Sequence, residues 1–148
     1  MSHPSSLMII LLLLLSMFSF DLTRACFMDK KYHVKIIDDL PSDSPQLKLH
    51  CASKDDDFGE RWLSSTQDFT WTFCGQFFNR TLYYCHFWWD SKENTFDVFN
   101  DPESCIHEGP MIHNTYTCVW IVKPEGFYLG YYDNDGSLVA DFTHDWNK

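Results

Sequence analysis

Apolar and polar residues alternate with a period of two along most of the chain. Tyr32-His33-Val34-Lys35-Ile36 and Gln46-Leu47-Lys48-Leu49-His50-Cys51 place Val34 with Ile36, and Leu47 with Leu49 and Cys51, on single faces of two half-buried strands. Phe69-Thr70-Trp71-Thr72-Phe73 repeats the pattern with aromatic rings. Thr81 to Trp89 is apolar or aromatic on both faces apart from His86, which predicts a central strand covered on each side. Further strands are predicted at Thr95 to Phe99, Tyr116 to Val122, Phe127 to Tyr132 and Leu138 to Phe142, giving about eight.

Turn-forming residues separate these runs: Pro41 and Pro45, Asp55-Asp56-Asp57 with Gly59, Gly75, Pro102, Gly109-Pro110, Pro124 with Gly126, and Asn134-Asp135-Gly136. No apolar stripe at helical spacing competes, and the one plausible helical turn runs from Gly59 to Ser64. The fold class expected is all-β, an antiparallel β-sandwich of about eight strands with little helix.

The N-terminal pattern is different. Leu7 to Phe20 is broken only by Ser16 and Ser19 and falls short of the ~20 residues that span a bilayer. Thr23 and Ala25 follow in the small-x-small spacing of a signal-peptidase site, so residues 1–25 read as a signal peptide and residues 26–148 as one exported domain. The leader has His3 but no Lys or Arg ahead of its apolar run, which keeps an uncleaved anchor as the alternative. A lipoprotein signal ending at Cys26 fails at Thr23, where a larger aliphatic residue belongs. No other apolar run is long enough to cross a membrane, so no membrane insertion is expected after cleavage.

Six cysteines fall in that domain: Cys26, Cys51, Cys74, Cys85, Cys105 and Cys118. An even number in a small exported chain reads as a disulfide framework, although six cysteines allow ~15 pairings and the sequence does not choose among them. The metal alternative lacks a C-x2-C pair or a Cys/His cluster at zinc spacing. Asn79-Arg80-Thr81 is an N-glycosylation sequon, functional in an exported chain if Asn79 faces solvent.

Charge narrows the function classes. Lys and Arg number 11 against 21 Asp and Glu in 148 residues, a net charge of −10. The basic residues are scattered, which excludes the phosphate-binding stripe of a nucleic-acid protein. A hydrophobic share of 45%, with 13 Phe, 7 Tyr and 6 Trp, excludes a disordered chain.

Catalytic and metal signatures are weak. There is no G-x-S-x-G elbow, and His107-Glu108 lacks the second His of a zinc-protease helix. His50 adjoins Cys51, but neighbours in a strand point to opposite faces, so His50 reads as a surface or edge residue rather than a base. Asp55-Asp56-Asp57 reads as a solvated loop whose carboxylates cap backbone N–H groups, including those of the turn near Gly59. One triplet does not supply the six to eight oxygens of a calcium site. An EF-hand register through Gly136 would place Tyr131 and Phe142 at its anchoring positions, so Asp133-Asn134-Asp135-Gly136 is read as a hairpin turn. No cofactor is implied. Trp71, Trp88, Trp89 and Trp120 read mainly as core, and an exposed Trp beside Asp90 or Tyr83 is a possible sugar-stacking surface.

The stretch Leu49-His50-Cys51-Ala52-Ser53-Lys54-Asp55-Asp56-Asp57-Phe58-Gly59 resembles the plant self-incompatibility protein S1 family, also called S-protein homologues. So do Thr81-Leu82-Tyr83-Tyr84-Cys85, Thr95-Phe96-Asp97-Val98-Phe99, and Cys118-Val119-Trp120 followed by Glu125-Gly126-Phe127-Tyr128. The resemblance spans the exported domain in order. It implies a small secreted, disulfide-stabilised β-sandwich that is not an enzyme, and an extracellular or membrane protein receptor as partner. It marks His50, Ser53, Lys54, Asp55, Asp56, Asp57 and Gly59 as the motif loop. Phe58 stands where Leu is usual, and Cys26 and Cys74 are additional to the four matching cysteines. The resemblance leaves Cys51, Cys85, Cys105 and Cys118 for the family's two bridges and Cys26 with Cys74 for a third.

The expected function is therefore that of an extracellular recognition factor in the apoplast, with a cell-wall carbohydrate-binding or defence module as the alternative. Recognition is expected on the loops Asp39 to Pro45, Asp55 to Gly59, Asn100 to Asn114 and Tyr132 to Ser137. Its negative charge favours a basic patch on the partner and salt-sensitive association.

Overall fold

The structure, a computed structural model, describes residues 6, 8–10, 26, 30–75, 81–107, 109 and 116–147. Among these residues nine strands follow in chain order: β1 (Lys31–Asp38), β2 (Leu47–Ala52), β3 (Asp57–Leu63), β4 (Asp68–Cys74), β5 (Tyr83–Trp89), β6 (Lys92–Phe99), β7 (Thr117–Lys123), β8 (Gly126–Tyr132) and β9 (Leu138–His144). One sheet is ordered β4-β1-β7-β8-β9 and the other β3-β2-β5-β6. The fold is all-β and carries three disulfides.

The alternating pattern builds the interior. Val34 and Ile36 of β1, Leu47 and Leu49 of β2, Phe87 of β5, Trp120 of β7 and Phe127 of β8 are all fully buried between the sheets. Each such side chain contributes about 1.5–3 kcal/mol on leaving water. The Trp120 indole N–H, which would be costly to bury alone, donates to the Val98 carbonyl at 2.9 Å. At one end Tyr32, Phe58, Phe69, Trp71, Phe73 and Tyr83 pack ring against ring, with Phe73 and Tyr83 centroids 4.7 Å apart.

Three expectations are corrected. Gly59 to Ser64 is not a helical turn; it lies mostly in β3, whose partner β2 runs antiparallel through Leu47↔Leu63, Lys48↔Trp62 and His50↔Glu60. Gly59 takes φ +67° where the β2–β3 register shifts, and this bulge breaks the strand's alternation into an irregular polar string. The strand predicted from Thr81 begins at Tyr83 and is central within its sheet, but only one of its faces is covered. Tyr83, Cys85 and Phe87 point inward, while Tyr84, His86 and Trp88 line the outer surface. Finally, β1 and β7 pair in parallel, through His33↔Thr117 to Asp38↔Val122, within an otherwise antiparallel architecture.

Candidate functional site

The motif loop joins β2 to β3 and is held by its own side chains. Ser53 closes the turn: its N–H donates to the Asp56 carbonyl at 2.7 Å, while its hydroxyl oxygen accepts the N–H groups of Asp55 at 3.2 Å and Asp56 at 3.0 Å. Asp57 Oδ1 accepts from the Gly59 N–H at 2.8 Å and from His50 Nε2 at 2.6 Å. The Gly59 amide and then His50 hold the Asp57 carboxyl below the usual carboxylate range. Of the three carboxylates expected to cap backbone N–H groups, Asp57 does so, at Gly59 of a bulged strand rather than at a helix. A Cβ on Gly59 would meet nothing within 4 Å, so the requirement there is the positive φ and not space.

Asp56 ties the loop to β5 of the same sheet. The Tyr83 hydroxyl donates to Asp56 Oδ2 at 2.6 Å. Burial first, and the Asp56 carboxylate second, push the Tyr83 hydroxyl far above its ordinary pKa, so it remains a donor. Among the described residues, the Lys54 ammonium and the Asp55 carboxylate have no bonding partner, and both are exposed. They stand at a cleft of about 610 Å³ lined by residues 53–56 of the loop, 81–84 before and within β5, and Phe73 and Cys74 of β4. Leu82 and Tyr84 give its wall exposed apolar surface beside the loop's charges.

The cysteines form three bridges. Cys26 pairs with Cys74, Cys51 with Cys85 across the β2–β5 register, and Cys105 with Cys118. No cysteine is left as a thiol. Among the described residues, no group of three or more His, Cys, Asp or Glu side chains is placed to hold a metal ion. Asn79 and almost all of residues 1–25 lie outside the described residues. Of the expected recognition loops, 39–45 is braced by the Trp89 indole N–H donating to Ser44 Oγ at 3.2 Å. Tyr132 to Ser137 is a hairpin turn in which Asp133 Oδ1 accepts the N–H groups of Asp135 and Ser137. In the loop from Asn100, residues 100–107 and 109 are described. There Asp101 is held below its ordinary pKa: desolvation pushes it up, but the Glu103 amide, Ser104 hydroxyl and His107 together outweigh that.

With this scaffold in place, comparison with known proteins is decisive. The family model described as plant self-incompatibility protein S1 matches residues 33–146. The chain belongs to that family. It is 34% identical to S-protein homolog 2 of Arabidopsis thaliana over 126 residues, covering 85% of this chain and 74% of that protein. It is 32% identical to S-protein homolog 18 of the same plant over 123 residues, covering 83% and 86%. Among the described residues, no helix is long and apolar enough to cross a membrane.

The S1-family scaffold also carries a second cluster that the sequence reading missed, on the outer face of the four-stranded sheet. Lys48 lies in register with Trp62 on one side and Trp88 on the other, and its ammonium sits 5.5 and 4.7 Å from their ring centroids. Lys48 also pairs with Glu60 at 2.7 Å, and His86 pairs with Glu93 at 2.8 Å while stacking on Trp88 at 3.6 Å. The exposed tryptophan is Trp62, at 54%, and not one beside Asp90 or Tyr83: Trp88 and Trp89 are half-buried. Trp88 is occupied by its Lys48 and His86 neighbours. Its alternation with Tyr84 and His86 was the available signal, and it became readable once β2 was known to lie between β5 and β3.

Proposed function

We propose that this protein is a secreted, non-enzymatic ligand that binds an extracellular or membrane receptor protein of plant cells. In this reading residues 1–25 are removed on export, residues 26–148 form the active domain, and Asn79 carries an N-glycan. The observation that carries the reading is the division of labour in the motif loop. Ser53, Asp56, Asp57 and His50 bond inward and fix its shape, leaving Lys54 and Asp55 displayed at a cleft with exposed Leu82 and Tyr84. A preorganised loop loses less entropy on binding than a mobile one. Membership of the S1 family supports a receptor-type partner. The bridging of all six cysteines supports a binding role over thiol chemistry. The exposed Trp62 favours wall polysaccharide as the second reading.

The test begins with the full chain expressed in plant cells. It should be recovered from the medium lacking residues 1–25 and should lose mass on treatment with N-glycosidase. The labelled, oxidised protein should bind intact plant cells saturably. Loss of that binding after protease treatment of the cells supports a protein receptor. Loss only after wall-degrading glycosidases replaces the receptor by polysaccharide, and retention inside the expressing cells overturns secretion.

A further inference from the structure

The two sheets have four edge strands, β4 and β9 in one and β3 and β6 in the other. Such edges present unpaired backbone groups and are ordinarily blunted. β3 is bulged at Gly59 and carries exposed Glu60 and Arg61. β4 presents Asp68, Thr70 and Thr72, and its end is bridged through Cys74 to Cys26. β6 carries Lys92 and Glu93, and the C-terminal Asn147 bridges to Glu93 through backbone hydrogen bonds of 2.9 and 3.1 Å. β9 carries more exposed apolar surface than any of these, β3 having only Trp62, whose ring Lys48 covers. Its residues Leu138, Val139 and Phe142 are exposed, Phe142 at 49%, and among the described residues no strand pairs with its outer edge.

The exposure follows from the architecture. Phe96 of β6, an edge strand, packs against Trp120 of β7 and Phe127 of β8 at 4.9 Å and meets β9 only at its last residue, His144, at 4.2 Å, so the four-stranded sheet leaves the Leu138 end of β9 uncovered. β9 therefore overhangs, and both of its faces are exposed at Leu138 and Val139. It is nevertheless clamped to β8: a Cβ on Gly130 would lie 2.6 Å from the Val139 carbonyl oxygen, so the two backbones approach closely there. The surroundings are acidic. Asp133 and Asp135 precede the strand, Asp141 lies within it, Asp145 follows it, and Glu125 accepts from the Tyr128 hydroxyl on its neighbour. The nearby Lys123 is paired with Asp39 at 3.6 Å.

We infer that β9 is a docking edge for an extended partner segment that alternates apolar residues with Lys or Arg, added as a further strand of the five-stranded sheet. Backbone hydrogen bonds would hold the segment, Leu138, Val139 and Phe142 would take its apolar side chains, and the acidic rim would select its charge. The rim decides against a second copy of this chain, since pairing β9 with itself sets Asp141 and its acidic flanks against the same groups in a molecule of net charge −10. The inference rests on the receptor-ligand reading and assigns that reading a surface.

The test uses the oxidised full-length product and an eight-residue peptide of alternating Lys and Val. Saturable binding is expected, with at least tenfold slower hydrogen exchange at outward-facing amides of β9. A peptide N-methylated at alternate residues, and one with Glu replacing Lys, should each bind at least tenfold more weakly. The double variant Val139→Lys with Phe142→Lys, both at exposed positions, should lose binding while keeping its near-ultraviolet spectrum. Equal binding of the N-methylated peptide, protection confined to another edge, unchanged binding by the double variant, or a wild-type dimer dispersed by those substitutions would each overturn the inference. The receptor-ligand reading is judged separately: if the double variant binds plant cells like wild type, the edge is wrong and that reading stands. If neither binds cells, that reading fails while the peptide assay still decides the edge.

Discussion

Among the described residues Asp38 is the one buried carboxylate of the core, 1% exposed at the end of β1. Its Oδ1 accepts the Leu40 N–H at 2.9 Å, and its Oδ2 has no partner among the described residues. Burial first, with the neighbouring Asp39, pushes its pKa up against the opposing pull of the Leu40 and Leu47 amides. A carboxyl whose folded pKa is raised stabilises the fold below its unfolded value of about 3.9 and loses that contribution as pH rises through the folded value. At neutral pH the charge is therefore a cost. Asp38→Asn keeps an acceptor for Leu40 and removes the charge, so it should raise stability at pH 7 by about 1 kcal/mol. It should gain nothing at pH 3, where both forms are neutral. Urea unfolding at the two pH values checks this, and equal effects at both would refute the account. The burial was not legible in the sequence, because the alternation that marks Val34 and Ile36 as interior meets Asp38 as a polar residue beside Asp39.

The elements with regular alternation were legible and the irregular ones were not. β1, β2 and β4 were marked by their alternation, β5 to β9 were expected as strands at about their places, with β6 starting short of its true beginning, and the Asp133 to Gly136 turn was marked by its chemistry. β3 was hidden because its bulge breaks the period and both its faces are largely exposed, so its existence depends on the β2 backbone. The motif loop was recognisable as a stretch of residues, but the Tyr83 bond to Asp56 spans 27 positions and carries no local signal. The disulfides also differ in how they serve their elements. Chain-entropy arguments alone rank the Cys26–Cys74 bridge, with a separation of 48, above Cys51–Cys85, with 34. Their burial argues for the reverse order. Cys51 and Cys85 are fully buried neighbours in paired central strands, whereas Cys74 is exposed and Cys26 lies ahead of β1. Replacing Cys51 and Cys85 by Ala should cost about 4 kcal/mol, from lost loop constraint and lost packing. Replacing Cys26 and Cys74 should cost less, because the released N-terminal segment regains freedom in the folded state. Urea unfolding of the two double variants gives the order directly.

At the scale of the whole molecule, pH acts through groups of opposite sign, and His144 contributes in the mildly acidic range. Its ring lies 4.2 Å from Phe96 and 6.0 Å from Trp120, where the C-terminal end of β9 folds over the neighbouring sheet. Burial holds its pKa below the ordinary value of 6.5. A base with a depressed folded pKa stabilises the fold above its unfolded pKa, and that contribution is lost as pH falls through the folded value. Asp57 and Asp101, with carboxyl pKa values held low, act in the same direction but only below about 3.9, where their unfolded forms begin to take up protons. Asp38 opposes them, since its raised pKa returns stability as pH falls. The loss carried by His144 therefore begins near pH 6.5, before any loss from those two carboxylates. His144→Phe keeps a ring against Phe96 and removes the titrating group, leaving every other histidine in place. The stability difference between wild type and this variant should shift against wild type as pH is lowered from 7.5 to 5. Parallel denaturation profiles across that range would exclude His144 as the source. A shift confined to pH below 4 would assign acid sensitivity to the carboxylates instead.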